Sequence, residues 1–251
     1  METPLIQLDN VHKYFGRNPV LCGISLTITE GRTTAIIGKS GEGKSVLLKH
    51  IIGLLEPDRG EILYRGQPIL KMNRKETRDF RSRMSYMFQG CALFDSMTVF
   101  ENIALPLQEG TRLSTAAISK KVHTRLEQLD LGNVGKLYPS QISGGMMKRV
   151  AMARALVTDP ELVLFDEPTT GLDPIRKNAV HAMISHYQKT LGFTALVVSH
   201  EIPDIFHIAQ EIVMIDGGKV VFSGSSQTIE ACSTPVVSQF IRGEVHSTFI
   251  D

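Results

Sequence analysis

The chain is 251 residues long; 27 lysines and arginines against 26 acidic residues leave a formal charge of +1, with 42% hydrophobic and 21% charged residues. This is the composition of a folded globular protein; it excludes binding driven by a strong overall basic field, and with it a nucleic-acid partner, while leaving room for a local anion site. Cys22, Cys91 and Cys232 lack CxxC or Cys/His spacing, which argues against a disulfide framework or zinc site and fits a reducing, cytoplasmic compartment.

No apolar run approaches the roughly 18 residues that span a bilayer, and the N-terminal METPLIQLDNVHKYFG is too polar for a signal-peptide core. Ile6, Leu8 and Val11, then Ile24, Leu26 and Ile28, predict short half-buried strands joined by Gly- and Asn-rich turns. The β-branched run Thr33 to Ile37 meets Gly38, and the almost wholly apolar Ser45 to Leu55 predicts a buried helix. Pro57, Asp58 and Gly60 form a turn before a strand at Glu61 to Tyr64, with a hairpin at Arg65-Gly66. A strand at Met84 to Phe88 runs into Gln89. From about 90 to 150 the pattern becomes mainly helical, with Ile118, Val122, Leu126 and Leu129 on one helix face, and reads as an inserted helical subdomain. Helices at Met146 to Val157 and Ile175 to Leu191 then alternate with strands at Leu162 to Phe165 and Thr194 to Ser199, which implies a parallel sheet with helices on both faces. Ile212 to Ile215, Asp216-Gly217-Gly218 and Val220 to Phe222 predict a closing hairpin. The tail 225–251 is weakly patterned.

Gly38-Lys39-Ser40-Gly41-Glu42-Gly43-Lys44-Ser45 fits GxxxxGK[ST], between the strand and helix the motif requires. Glycines let backbone N–H groups wrap phosphate oxygens, and the following helix N-terminus, which continues through Val46, adds its positive dipole end. Lys44 supplies a full charge, and Ser45 places a hydroxyl where Mg²⁺ bridges to the β- and γ-phosphates. Downstream, Leu162 to Phe165 delivers Asp166 and Glu167 at a strand's carboxyl end, where α/β sheets bind ligands. Asp166 suits the metal, and Glu167 suits polarisation of an attacking water. Adjacent strand residues point apart, so the two acids are expected in separate environments.

With these stand Gln89, Ile142-Ser143-Gly144-Gly145-Met146, Gly171-Leu172-Asp173 and His200, in that order. The set resembles the nucleotide-binding subunit of ABC (ATP-binding cassette) transporters over residues 5 to 224. The resemblance implies an α/β fold, a RecA-like P-loop NTPase core with an antiparallel β subdomain and an inserted helical subdomain. It implies a head-to-tail homodimer with two ATP molecules sandwiched between P-loop and signature segments. Ser143, Gly144, Gly145 and Met146 would face the partner's ATP. Physically, they expose N–H groups at a second helix start. The commonest signature, LSGGQ, is replaced here by ISGGM, which removes an amide but keeps the backbone donors. By the same resemblance His200 would bond the γ-phosphate and the water, Gln89 would sense Mg²⁺, Phe15 (with Tyr14 as alternate) would stack on adenine, and Asp173 would order the interface. The alternative for Phe15 and Tyr14 is that they are core aromatics, and for Asp173 that it is a helix-start acid before Pro174.

The stretch Gly90 to Leu107 is apolar for a connection and reads either as a docking socket, with Phe94 in it, or as internal packing. Together with SGGM and FDEPTTGLDPI it resembles the ATPases of Mla/Mce-type phospholipid-trafficking systems. That resemblance implies an inner-membrane permease, a periplasmic MCE lipid-binding protein and a small STAS-domain protein as partners, with this chain peripheral on the cytoplasmic face of the inner membrane. Val236, Val237, Phe240 and Ile241 predict an apolar helical stripe in the tail, resting on its own domain or on a neighbouring ATPase, and Phe249-Ile250 lie at the end. A competing reading is a regulatory clamp with a non-transport envelope or division partner. A chromosome-maintenance cassette is excluded, because no sustained heptads lie between Ser45 and Asp166.

Overall fold

The computed structural model describes residues 3–87 and 90–243. The chain opens with β1 (Pro4–Phe15), β2 (Asn18–Thr29), β3 (Thr33–Ile37) and α1 (Lys44–Ile51). There follow β4 (Arg59–Tyr64), β5 (Gln67–Pro68), α2 (Arg74–Ser82), β6 (Met84–Met87), α3 (Val99–Gly110), α4 (Thr115–Gln128) and α5 (Gly144–Leu156). The remainder is β7 (Leu162–Asp166), α6 (Pro174–Leu191), β8 (Thr194–Ser199), β9 (Glu211–Asp216), β10 (Lys219–Gly224), α7 (Ser226–Glu230) and α8 (Pro235–Arg242).

Among the described residues, β2-β1-β4-β5 form an antiparallel sheet and β10-β9-β3-β8-β7-β6 a second one, parallel except for its β10 edge. Strand alternation sorts the parallel sheet's side chains onto two cores. Ala35, Ile37, Val163, Phe165, Ala195 and Val197 face a cluster shared with α3 to α6. Ile36, Leu162, Leu164, Leu196 and Val198 face α1 and the antiparallel sheet. The face predicted to be helix-covered is therefore partly sheet-covered on one side.

Several boundaries differ from the sequence expectation. The predicted short N-terminal strands are two strands of 12 residues each, whose pairing slips at several bulges, one beside Asn10, where φ is 48°. Leu5 and Ile6 are consequently both buried, which strict alternation forbids. The helix expected to reach Leu55 ends at Ile51, because Gly53 at φ 68° turns the chain and leaves Leu54 exposed. Phe88 lies outside the described residues. The weakly patterned tail contains α7 and α8: Ile229 and Val237 are buried and Val236, Phe240 and Ile241 lie against the same core, while Phe249 and Ile250 fall outside the described residues. In the Gly90 to Leu107 stretch Val99, Ile103, Ala104 and Leu107 are interior and Phe94 stands half exposed, so internal packing accounts for most of it.

Candidate active site

The carboxyl ends of β3, β7 and β8 lie side by side, since β3 pairs with β8 and β8 with β7 in parallel register. That adjacency alone brings the P-loop, Asp166-Glu167 and His200 to one sheet edge. The loop between β3 and α1 needs two of its glycines for definite reasons. A Cβ on Gly38 would stand 2.3 Å from the Ile215 carbonyl oxygen, and one on Gly43, at φ 84°, would stand 2.9 Å from Val20 Cγ1. Lys39, Ser40 and Gly41 are exposed, Glu42 and Gly43 half buried. Lys44 is 5% exposed, and its Nζ donates to the carbonyls of Gly38 (2.8 Å) and Lys39 (2.7 Å). Burial lowers its pKa, against the opposing pull of Glu167, Glu42 and Asp166.

The two acids diverge as expected, but not by strand alternation, because β7 ends at Asp166 and Glu167 leaves the strand. Asp166 Oδ1 accepts from Ser45 Oγ at 3.1 Å and Oδ2 from Tyr86 Oη at 2.6 Å. Glu167 turns away: its Oε1 lies 3.3 Å from His200 Nδ1 and its Oε2 accepts from Thr170 Oγ1 at 3.0 Å. Its backbone sits in the left-handed region at φ 48°, held there by its N–H on the Val198 carbonyl at 3.0 Å. A non-glycine residue in that region costs of order 1 kcal/mol and marks a position fixed by its surroundings. Thus Lys44, Ser45, Asp166, Glu167 and His200 come together; Gln89 lies outside the described residues.

Val46 passes its carbonyl to His50 Nδ1 at 2.7 Å inside α1. Phe15 and Tyr14 are both exposed at the end of the β1–β2 hairpin, so neither is a core aromatic, and Lys13 Nζ stands 5.9 Å from the Phe15 ring centre. Ser143 caps α5, accepting from Met146 N at 3.3 Å, and the helix starts at Gly144 rather than at Met146. Ser143, Gly144 and Gly145 are exposed, and Met146 is half buried against the core. Asp173 caps α6, taking Arg176 N at 3.0 Å, with Pro174 at the first helical position.

Three contributors were invisible to motif reading. Tyr86 holds the second oxygen of Asp166, and burial plus that carboxylate push its hydroxyl pKa up, so it stays a donor. Asn102, wholly buried, accepts from Phe94 N at 2.8 Å and donates to the carbonyls of Phe94, Met97 and Thr98 at 3.0 to 3.1 Å, which fixes the loop that presents Phe94. A cleft of about 270 Å³ beside Lys39 and His200 is walled by Gln239 and Phe240 of α8. The sequence signal for Tyr86 was its place on the strand preceding Gln89; Asn102 gave none, and the tail's apolar stripe announced a helix but not its place beside Lys39 and His200.

Comparison with known proteins agrees with this geometry. The family profile described as ABC transporter matches residues 21–170. The ATP-binding protein MlaF of the intermembrane phospholipid transport system of Escherichia coli (strain K12) is 41% identical over 239 residues, covering 95% of this chain and 89% of that protein. Its Haemophilus influenzae counterpart is 38% identical over 97% of this chain and 92% of its own. A probable ribonucleotide transport ATP-binding protein, mkl, of Mycobacterium tuberculosis (strain H37Rv) is 37% identical over 95% of this chain and 66% of its own. Among solved structures, cbiO1 of Clostridium perfringens, part of the ABC transporter complex cbiONQ, superposes with a TM-score of 0.84 at 28% identity, covering 92% of each chain. The dimeric ATP-binding cassette MJ0796 bound to ADP and Pi superposes with a TM-score of 0.75 at 29% identity, covering 88% of this chain and 98% of its own. Such cassettes bind nucleotide, hydrolyse ATP and act as dimers with a membrane permease. A P-loop, paired acids and a histidine at one sheet edge, on a fold shared with solved cassettes, make this chain an ATPase subunit of the ABC transporter family.

Proposed function

We propose that this ATPase drives phospholipid movement between the inner and outer membranes as a homodimer seated peripherally on an inner-membrane permease. Similarity to the MlaF proteins over nearly the whole chain carries the reading; a periplasmic MCE lipid-binding protein and a small STAS-domain protein would be further partners. No helix among the described residues is long and apolar enough to cross a membrane, so a permease would have to supply the path. We assign residues 1–224 to the cassette, with its helical subdomain at about 90–150, and 225–251 to a tail that meets the neighbouring subunit.

The site fits a magnesium nucleotide. Ser45 Oγ and Asp166 Oδ1, two hard oxygens 3.1 Å apart, would hold Mg²⁺ together with Gln89, and Tyr86 orients the carboxylate from behind. When bound, Mg²⁺ would neutralise charge on the β- and γ-phosphates. Lys44 would exchange its two carbonyl acceptors for phosphate oxygens, a charge-assisted gain. Residues 38–46 would wrap the phosphates and Phe15 would stack on the base. Glu167 would accept a proton from the attacking water while His200 holds the carboxylate in place. Across the dimer, Ser143, Gly144, Gly145 and Met146 of the other copy would close on the same nucleotide, with Asp173 at the seam.

The test is reconstitution of the chain with its co-purified membrane partners in proteoliposomes carrying labelled phospholipid. ATP-dependent lipid movement, abolished by Glu167→Gln, is the expected result. Turnover indifferent to phospholipid would overturn the cargo; stimulation by ribonucleotides instead would favour the cargo named for mkl, and a division protein in place of a permease would favour a regulatory clamp.

A further inference from the structure

His200 is followed by an acid that the reaction does not use. Glu201 is nearly buried, its side chain 9% exposed, yet it receives Lys177 Nζ on Oε1 at 2.6 Å. Its backbone N–H donates to Ser199 Oγ at 3.0 Å, and its carbonyl accepts from Ile205 N at 3.4 Å, so the segment 199–205 is anchored through this residue. Burial works to raise the Glu201 carboxyl, but Lys177, with a smaller pull from the nearby Thr169 hydroxyl, outweighs it and holds its pKa below the ordinary value. It is therefore charged at neutral pH and bound to a cation.

The position of that cation matters. Lys177 lies in the first turn of α6, its N–H on the Asp173 carbonyl at 3.0 Å, and Asp173 caps the same turn. Thr169, which is 1% exposed, is two residues beyond Glu167. Glu201 thus joins the start of α6, which follows 171–173 directly, to the residue beside His200, with the Thr169 hydroxyl of the segment after Glu167 close enough to act on its charge. A shift of the α6 start would move Lys177, and through its short ion pair with the largely buried Glu201 carboxylate it would carry Glu201 and, as its chain neighbour, His200 with it.

We propose that Lys177 and Glu201 are positioning residues that transmit the placement of 171–173, at the seam between two copies, to the His200–Glu167 contact, so that hydrolysis proceeds only when a second copy has set the α6 start. This rests on the roles proposed above for His200, Glu167 and Asp173.

The experiment compares Lys177→Met, Glu201→Gln, the double variant and Lys177→Arg, each measured for kcat, for KM for ATP and for ATP-dependent pairing in a Glu167→Gln background. Glu201→Gln keeps the shape of the side chain, and the double variant removes both charges of the pair, so at least one variant folds without an unpaired charge. Lys177→Met and Glu201→Gln are expected to lower kcat about tenfold or more, with KM within about twofold and pairing intact. The double variant should be no worse than the poorer single, and Lys177→Arg should keep at least half of the activity. A kcat within about twofold of the wild type, or an equal loss in Lys177→Arg and Lys177→Met, overturns the proposal. So does a loss of pairing or of ATP binding that matches the loss of kcat, since a structural defect would then explain it. Turnover that survives Glu167→Gln would instead defeat the assignment of the base, independently of the link.

Discussion

At the residue scale, Lys44 and Glu167 make opposite predictions. Lys44 is buried with two carbonyl acceptors already in hand, so it is poised without needing to move far. Lys44→Ala should weaken ATP binding by roughly 1.5 to 3 kcal/mol for a charge-assisted bond, or about 10- to 150-fold in Kd. Titration with a fluorescent ATP analogue checks this, and unchanged affinity would place Lys44 away from the phosphates. Glu167→Gln leaves the P-loop untouched and keeps one of the two oxygens, which now serve Thr170 and His200 separately. It should retain ATP binding, lose nearly all turnover and accumulate a dimer on gel filtration with ATP; turnover near wild type would falsify its assigned role. Tyr86 belongs to the same group. Tyr86→Phe would free Asp166 Oδ2, and the expected sign is a raised Mg²⁺ requirement, about 10-fold or more, with ATP affinity in excess Mg²⁺ preserved. A magnesium titration of turnover would read it.

Elements explain which of these features the sequence could disclose. The P-loop, the acids after Phe165 and His200 were legible because each ends a strand whose apolar run is unmistakable, and parallel pairing of β3, β8 and β7 then does the assembling. Where several weak signals had to combine, legibility fell. The register slip between Pro4 and Ile6 puts both Leu5 and Ile6 inside, which no alternation rule anticipates. Asn102 works through three carbonyls and an N–H of the chain just before it, and a polar residue amid apolar neighbours announces nothing of the kind. In the tail the stripe Val236, Val237, Phe240 and Ile241 did announce a helix, but α8 has eight residues, too short to nucleate alone, and it exists because Val237 and its neighbours meet the chain's own core. Val237→Ala should therefore destabilise the fold by about 2 kcal/mol from lost burial and the cavity left behind. A urea melt would show it, and an unaltered midpoint would mean that α8 detaches in solution.

At the scale of the whole molecule, stability has a pH signature with a definite sign. His50 is wholly buried in α1 and His181 is 4% exposed in α6. Burial lowers the pKa of both: His50 is further lowered by Lys13 against Val46, Glu56 and Asp58, and Glu201 and Asp204 only partly offset burial at His181, where His207 and Lys177 also push down. Each ring is therefore neutral in the folded protein at pH values where the unfolded chain would already take a proton. The unfolded state binds more protons, so their contribution is fully present above the unfolded value near 6.5 and is lost as pH falls below it. The carboxyls of Glu161 and Glu201 are held below their ordinary value of 4.5 and lose their stabilising contribution only at still lower pH. The interval between pH 6.5 and 5.5 therefore reports the histidines. Urea unfolding should weaken across it by at most about 1.4 kcal/mol per pH unit for each ring, and His181→Leu should remove its share of the slope because no proton can then be taken up on unfolding. A stability curve that is flat over this interval in the wild type, or a slope unchanged in His181→Leu, would show that the His181 ring accepts a proton within the fold as readily as in water.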